Sequence, residues 1–401
     1  MPSKLKSLEP WQQNLAVLWL GTFIAGMGFS EVSPFISLYV DQLGDFTKGQ
    51  LSIYSGITFG VTFMVVAIVS PLWGRLADRR GRKLMLLRSS FGMAIIIGAC
   101  GFVHNVYALI ALRFLQGLAA GYIPNASALI ATETPKAKSG TAIGILTTGY
   151  VSGNLIGPIL GGFLAQTFSI RLTFIITGVL LLIVFVLSLT MVHEHYTPDP
   201  RLLNKEKRPS LLSQVNNPKA IMVLLVSTAV IQLGNMSIYP IISLYVKELM
   251  HNVGPITVVA GVIAALPGIS KLGDRIGSGK ILVSGLIFAV IMYIPQGIVG
   301  SIWALGFLRL MIGVSDGALF PTIQTLLSKL TPVSYTGTVF SWNQSAQAFG
   351  SMAGSLAGGF ISNIFNYNGV FIFTALCLAL NLVMVLVFIP HIWSSRPKQQ
   401  A

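Results

Sequence analysis

Apolar runs of bilayer-spanning length follow one another along the chain, separated by short polar stretches. A helix needs about 20 residues, at 1.5 Å each, to cross the hydrocarbon core. Twelve runs are read as spans: residues 14–40, 50–72, 84–103, 106–131, 139–164, 170–192, 219–246, 254–270, 281–300, 301–327, 334–362 and 367–391. None alternates apolar and polar residues as a barrel strand would, so all are read as helices, which satisfy their own backbone groups in lipid. The predicted fold class is therefore an all-α membrane protein with twelve transmembrane helices. The run from Leu15 to Val40 is too long for the apolar part of a cleavable signal and counts as a span.

The longest polar stretch, 193–218, holds Pro198, Pro200, Pro209 and Pro218 among mixed charges. It reads as a cytoplasmic linker between two six-helix bundles, 1–192 and 219–401. The two halves resemble each other. Pro34-Phe-Ile-Ser-Leu-Tyr-Val40 returns 206 positions later as Pro240-Ile-Ile-Ser-Leu-Tyr-Val246. Further on, Asp78 and Asp274, Arg113 and Arg309, and Gly117 and Gly313 are each 196 positions apart. Parallel six-span repeats mark a transporter architecture with its site between the halves. The drop in offset falls mostly within span eight: Gly56 to Asp78 is 22 residues, whereas Gly261 to Asp274 is 13. The remaining run, Ile256 to Ser270, reaches about 22 Å, short of the roughly 30 Å core. Span eight is thus unusually short. Either its cytoplasmic end is re-entrant or distorted, or this copy carries a deletion; the shortening is either tolerated, with local bilayer thinning, or leaves an inactive paralogue.

Charge changes the picture in one respect. Only 9% of the 401 residues are charged and 53% are hydrophobic, which excludes a soluble enzyme or a disordered chain. The net charge of +14 would suggest nucleic acid in a soluble protein. Here 21 of the 26 basic residues fall on one side of the twelve spans, against Lys48, Arg171 and Lys247 on the other, with Arg113 and Arg309 inside spans. The basic excess is a topological signal that places both termini in the cytoplasm. Nucleic acid is not an expected partner. The expected partners are a small-molecule drug substrate, protons and the bilayer, and a monomer is expected. No cofactor and no metal site is expected: Cys100 and Cys377 lie in apolar runs without ligand spacing. No nucleophile–base pair sits in a span, so an enzyme is not expected.

Three motifs then carry a resemblance. Gly74-Arg-Leu-Ala-Asp78-Arg79-Arg-Gly81-Arg82-Lys83 follows span two, and Asp274 answers Asp78 after span eight. Leu109-Ile-Ala-Leu-Arg113-Phe-Leu-Gln116-Gly117 lies in span four. Gly144, Gly153, Gly157-Pro158 and Gly161-Gly162 lie in span five. Together they resemble the major facilitator superfamily, and the span-five set resembles its twelve-span drug:proton antiporters. The resemblance implies a major facilitator fold and proton-coupled efflux of toxic organic compounds, with fosfomycin- and bile-salt-like molecules among candidate substrates. It also implies a conformational latch at Gly74, Asp78, Arg79, Gly81, Arg82, Lys83 and Asp274, and a span five that packs closely and bends. A proton-coupled symporter of a small metabolite is the alternative reading.

Proton exchange needs an acid inside the membrane, where a charge costs about 2.5–3.5 kcal/mol on the mildest scale. Glu31 in span one and Asp316 in span ten are the candidates. Arg113 lies at a depth similar to Glu31, so a Glu31–Arg113 contact is expected. Asp316 is two turns from Arg309, about 10 Å along the helix and too far for a direct pair. A cargo cavity should be apolar with a few polar groups. Candidates in the first half are Met27, Phe29, Asn125 and Asn154, and in the second Gln232, Asn235, Trp342, Asn343 and Gln347.

Overall fold

The computed structural model describes residues 9–31, 33–195, 217–269, 278–331 and 336–389. Every regular element among them is helical. Span one is Pro10–Ser30, a 3-10 turn at Ser33–Phe35 and Ile36–Asp41. Span two is Lys48–Arg80, span three Arg82–Cys100, and span four Val106–Ala119 with Tyr122–Glu133. Spans five and six are Lys136–Thr167 and Ile170–Met191. Span seven is Pro218–Leu249, span eight Ile256–Ile269, span nine Ser278–Gln296 and span ten Ile302–Leu330. Spans eleven and twelve form one stretch, Thr336–Phe388, broken at Phe365 and Asn366, where φ is 58°.

Eight of these stretches are individually long and apolar enough to cross a membrane, and the last, Trp342–Phe388, holds two spans. Pro10–Ser30, which opens on Gln12, Gln13 and Asn14, and the shorter Ile256–Pro267 and Lys280–Gln296 complete the twelve. Span eight is the short one: its 14 residues reach about 21 Å.

Two prolines explain two broken spans. A proline lacks the N–H and its ring clashes with the carbonyl four residues back. Pro34 points this clash at Ser30, where the first helix of span one ends. Pro124 points it at Ala120, where span four breaks, and Gly121 takes φ 123° there. Side-chain caps fix other starts: Asn105, Ser169 and Asn217 accept from the N–H of Ala108, Leu172 and Ala220.

The described chain forms two compact units that exchange segments relative to its sequence halves. Unit one holds residues up to Gly44, Met64–Glu206 and Thr257–Ala265; unit two holds Asp45–Phe63, Lys207–Ile256 and Leu266 onward. In unit one, spans one and five pack together, as do three and six; in unit two, seven packs on eleven and nine on ten and twelve. Lipid tails are as apolar as leucine, so these pairs gain stability from close packing and hydrogen bonds rather than from escape from water.

One anchor occurs in both units. In unit one, the Tyr39 hydroxyl donates to the carbonyl of Cys100 at 2.8 Å and its ring lies 5.2 Å from Phe174. In unit two, the Tyr245 hydroxyl donates to the carbonyl of Gln296 at 3.3 Å and of Val299 at 2.9 Å, with Phe371 at 5.5 Å. The matched residues stand 206, 196 and 197 positions apart, so the sequence repeat is also a repeat of contacts.

Candidate functional site

Span five builds one wall of the site in unit one. Gly149, Gly153, Gly157 and Gly161 recur every four residues and share one helix face. A Cβ on Gly153 would stand 2.9 Å from the Met27 nitrogen, on Gly157 2.8 Å from the Met27 oxygen, and on Gly161 2.8 Å from the Glu31 carbonyl carbon. Span one therefore lies directly on the span-five backbone. The next residue, Gly162, faces span eight: a Cβ there would meet the Thr257 carbonyl oxygen at 2.6 Å. Thr257 Oγ1 donates to the Gly162 carbonyl at 3.1 Å and to Gln166 Oε1 at 2.9 Å. Gly261 packs on Pro158, 3.0 Å from its carbonyl carbon.

Unit two repeats this device. Gly350, Gly354 and Gly358 of span eleven lie on Ala229, Leu233 and Ser237 of span seven. These stand 206 positions after Phe23, Met27 and Glu31. Gly359 meets Ser52, and Gly56 meets Ser355, as Gly162 and Gly261 do in unit one. One sequence reading needs correction. A Cβ on Gly144 would meet nothing within 4 Å, so this glycine takes no part in close packing; Gly149, absent from the sequence motif, does. Pro158 lies inside the span-five helix, Lys136–Thr167.

Glu31 sits at the break in span one. It is 1% exposed, and its Oε1 is buried without a hydrogen-bond partner. Its counterpart by repeat, Ser237, bonds Thr374 at 2.8 Å. The expected Glu31–Arg113 contact is not formed. Arg113, also buried, donates through Nη1 to Gln116 one turn along its own helix, and Cys100 is its electrostatic neighbour. Equal depth did not put the two side chains on facing sides, because Glu31 is held against span five.

In unit two, Asp316 and Arg309 are both electrostatic neighbours of the buried Tyr293, as is Tyr239. The Tyr293 hydroxyl donates to Asn235 Oδ1 at 2.9 Å. Of the other candidate amides, only Gln232 is seen to join two helices among the described residues. Asn125 donates to the Gly121 carbonyl at the span-four break at 2.7 Å. Gln232 donates to Ser351 Oγ at 3.1 Å, joining spans seven and eleven. Asn154 reaches the Tyr150 carbonyl in its own helix. The Oδ1 of Asn343 is buried without a partner, while Trp342 is exposed. Met27 is buried on the span-five face, and Phe29 is half-buried. Gln347 is half-buried and gives its carbonyl to Ser351.

At the motif after span two, Gly81 makes the turn alone, with φ 91°. Gly74 makes neither a turn nor a close approach: it lies inside span two with open space around it. Arg79 is exposed. Arg82 donates to the Ala128 carbonyl at 2.8 Å and to Thr132 Oγ1. The backbone N–H groups of Arg82 and Lys83 each donate to the Glu194 carboxylate at 2.8 Å, an acid that satisfies a helix N-terminus. The side chain of Asp78, all of Asp274 and most of the linker lie outside the described residues.

Sequence reasoning missed the role of Arg88, counting it only among the cytoplasmic-side charges although the predicted third span, 84–103, contains it. It lies within span three and donates to the carbonyls of Leu118 and Ala120, both at 2.8 Å, with its guanidinium 3.9 Å over the Trp73 ring. Trp73 also donates to the Leu118 carbonyl. Together they satisfy the carbonyls released by the break in span four.

The sequence profile described as the Major Facilitator Superfamily matches residues 18–259 and 224–401. The chain belongs to the major facilitator superfamily. Among curated members, multidrug resistance protein MdtG of Escherichia fergusonii is 44% identical over 391 residues, covering 95% of this chain and 96% of that protein. MdtG of Citrobacter koseri is 45% identical over 374 residues, covering 91% and 92%. Among solved structures, a bacterial homolog of the human lysosomal transporter Spinster matches 98% of this chain and 100% of its own, with TM-score 0.75 and 14% identity. The human organic anion transporter MFSD10 matches 94% and 100%, with TM-score 0.66 and 15% identity. These two share the fold. The superfamily is one of membrane transporters, and this multi-pass member is built accordingly.

Proposed function

We propose that the chain exports toxic organic compounds across the bacterial cytoplasmic membrane in exchange for protons, by alternating access, with both termini in the cytoplasm. The similarity to MdtG over nearly the whole chain supports the drug-export part. One observation carries the coupling part: Glu31, whose buried carboxyl has an unpartnered oxygen, lies with its backbone and Cβ on the span-five glycine stripe. An ionised carboxylate there is costly, so binding and release of a proton changes the energy of this place by several kcal/mol. Glu31 is also part of the span-one backbone that seats Gly157 and Gly161, so its charge acts on the contact between spans one and five. Asp316 and Arg113 are the further members of the proposed coupling set.

The short span eight supports an active protein. Its outer part keeps the contacts Thr257–Gly162 and Gly261–Pro158. Pro267 also still packs on Gly313 of span ten, with a Cβ on that glycine 2.5 Å from the Pro267 Cα.

The test is reconstitution into liposomes with an imposed proton gradient and a fluorescent drug. Export predicts that drug moves against the proton flow. Drug moving with the protons is the symporter's result and would reject the proposal.

A further inference from the structure

Span six brings a hydroxyl to the face of span one that carries Glu31. Gly28 lies three residues before Glu31, on that same face. A Cβ on Gly28 would stand 2.7 Å from Thr177 Cγ2 and 3.9 Å from Leu181 Cδ1. Unit two repeats this contact: a Cβ on Gly234 would stand 2.9 Å from Thr374 Cγ2 and 4.0 Å from Leu378 Cγ. Gly234 follows Gly28 by 206 positions, and Thr374 and Leu378 follow Thr177 and Leu181 by 197.

Each threonine rests its methyl on a glycine, and Cβ is tetrahedral, so the two hydroxyls take equivalent places. In unit two this hydroxyl is 2.8 Å from Ser237 Oγ. Ser237 spends its own proton on the Gly234 carbonyl, also at 2.8 Å, so Thr374 is the donor of the pair. Unit one has Glu31 where unit two has Ser237, with oxygens two bonds farther from Cβ. Here Thr177 donates one turn back, to the Thr173 carbonyl at 2.8 Å, while Glu31 Oε1 is buried without a partner. That carbonyl also accepts a helical N–H, so the Thr177 proton can leave it without orphaning it. Other polar groups near Glu31 are taken. Ser30 donates to the Gly26 carbonyl at 2.9 Å, and Arg113 donates to Gln116. Spans five and six present Gly157, Gly161, Thr177 and Leu181 here, and among the described residues no charged side chain is an electrostatic neighbour of Glu31.

We propose that Thr177 is the positioning residue of the Glu31 carboxyl: its hydroxyl turns from the Thr173 carbonyl and donates to a Glu31 oxygen, as Thr374 does to Ser237. This rests on the reading of Glu31 as the coupling acid and adds the donor that the acid needs. With the hydroxyl in place the carboxyl is held toward span six in both protonation states, and the ionised form gains a hydrogen bond. Such a bond to a charged group changes an equilibrium by about tenfold to hundredfold.

The test is infrared difference spectroscopy of the full-length protein in phosphatidylcholine liposomes, between acidic and alkaline pH. The protonated-carboxyl band that Glu31→Gln removes belongs to Glu31. A hydrogen bond lowers the frequency of its C=O stretch. Thr177→Val keeps the methyl on Gly28 but loses the donor, and should move the band to higher frequency. Thr177→Ala should move it the same way by a different change of shape, and Thr177→Ser should leave it in place. Drug transport driven by a pH gradient should fall about tenfold in Thr177→Val and recover in Thr177→Ser, while drug-for-drug exchange persists. Thr374→Val, the same change in unit two, should leave the band unmoved. Thermal unfolding confirms that each variant is folded. A Glu31 band that stays in place in Thr177→Val and Thr177→Ala, or that moves equally in Thr374→Val, overturns the pairing and leaves Glu31 as the acid. A spectrum in which Glu31→Gln removes no band rejects the coupling reading itself, and the pairing with it.

Discussion

Glu31 and Gly161 touch through their backbones: a side-chain carbon on Gly161 would stand 2.8 Å from the Glu31 carbonyl carbon. The acid proposed to carry the proton is thus seated on the span-five glycine stripe.

Glycines within one motif should respond differently to the same change. Gly161→Ala forces atoms into span one and is expected to cost about 1–3 kcal/mol, with transport reduced by more than tenfold. Gly144→Ala meets open space and should be neutral or stabilising by up to about 1 kcal/mol. Thermal unfolding in detergent and drug efflux from cells compare the pair.

Arg88 should behave as a structural part of span four. Arg88→Gln leaves the Leu118 and Ala120 carbonyls without their charged donor and is expected to cost about 1.5–3 kcal/mol. Arg88→Lys keeps the charge but not the two-pronged geometry, and should fall between. Thermal unfolding gives the order Arg, Lys, Gln.

Glu194→Ala removes the acceptor for two N–H groups that begin span three, and is expected to cost about 1 kcal/mol. Hydrogen exchange at the amides of Arg82 and Lys83 should accelerate, while the amides near Cys100 at the far end of that helix stay protected.

Lengthening span eight should change little. Its outer contacts already engage span five, so nine apolar residues inserted just after Pro267 are expected to leave drug resistance in a pump-deficient host unaltered. In contrast, Gly261→Val collides with the Pro158 carbonyl and should abolish resistance. A gain of resistance on lengthening would show that the short helix limits activity.

Much of this was legible in the sequence, for physical reasons. Apolar length fixed the spans, and the repeated Pro-X-Ile-Ser-Leu-Tyr-Val strings at Pro34 and Pro240 announced the paired Tyr39 and Tyr245 anchors. Glu31 stood out because acids in spans are rare. Rotation about a helix axis was not legible. Depth suggested Arg113 for Glu31, yet Gln116 holds the arginine. The motif spacing included Gly144, but five residues before Gly149 is about 140° round the helix from the packed face. Arg88, inside the predicted third span, was counted only for topology, and its bonds to the span-four carbonyls were not legible. Pro124 and Gly121 did carry a usable signal for the break in span four.

The most direct measurement concerns Glu31→Gln in liposomes loaded with protons. Two rates are compared with the wild type: drug movement driven by the pH gradient, and drug-for-drug exchange at equal pH on both sides. The account predicts that gradient-driven transport falls at least about tenfold, in proportion to lost coupling, while drug-for-drug exchange persists. Gradient-driven transport at the wild-type rate would contradict it.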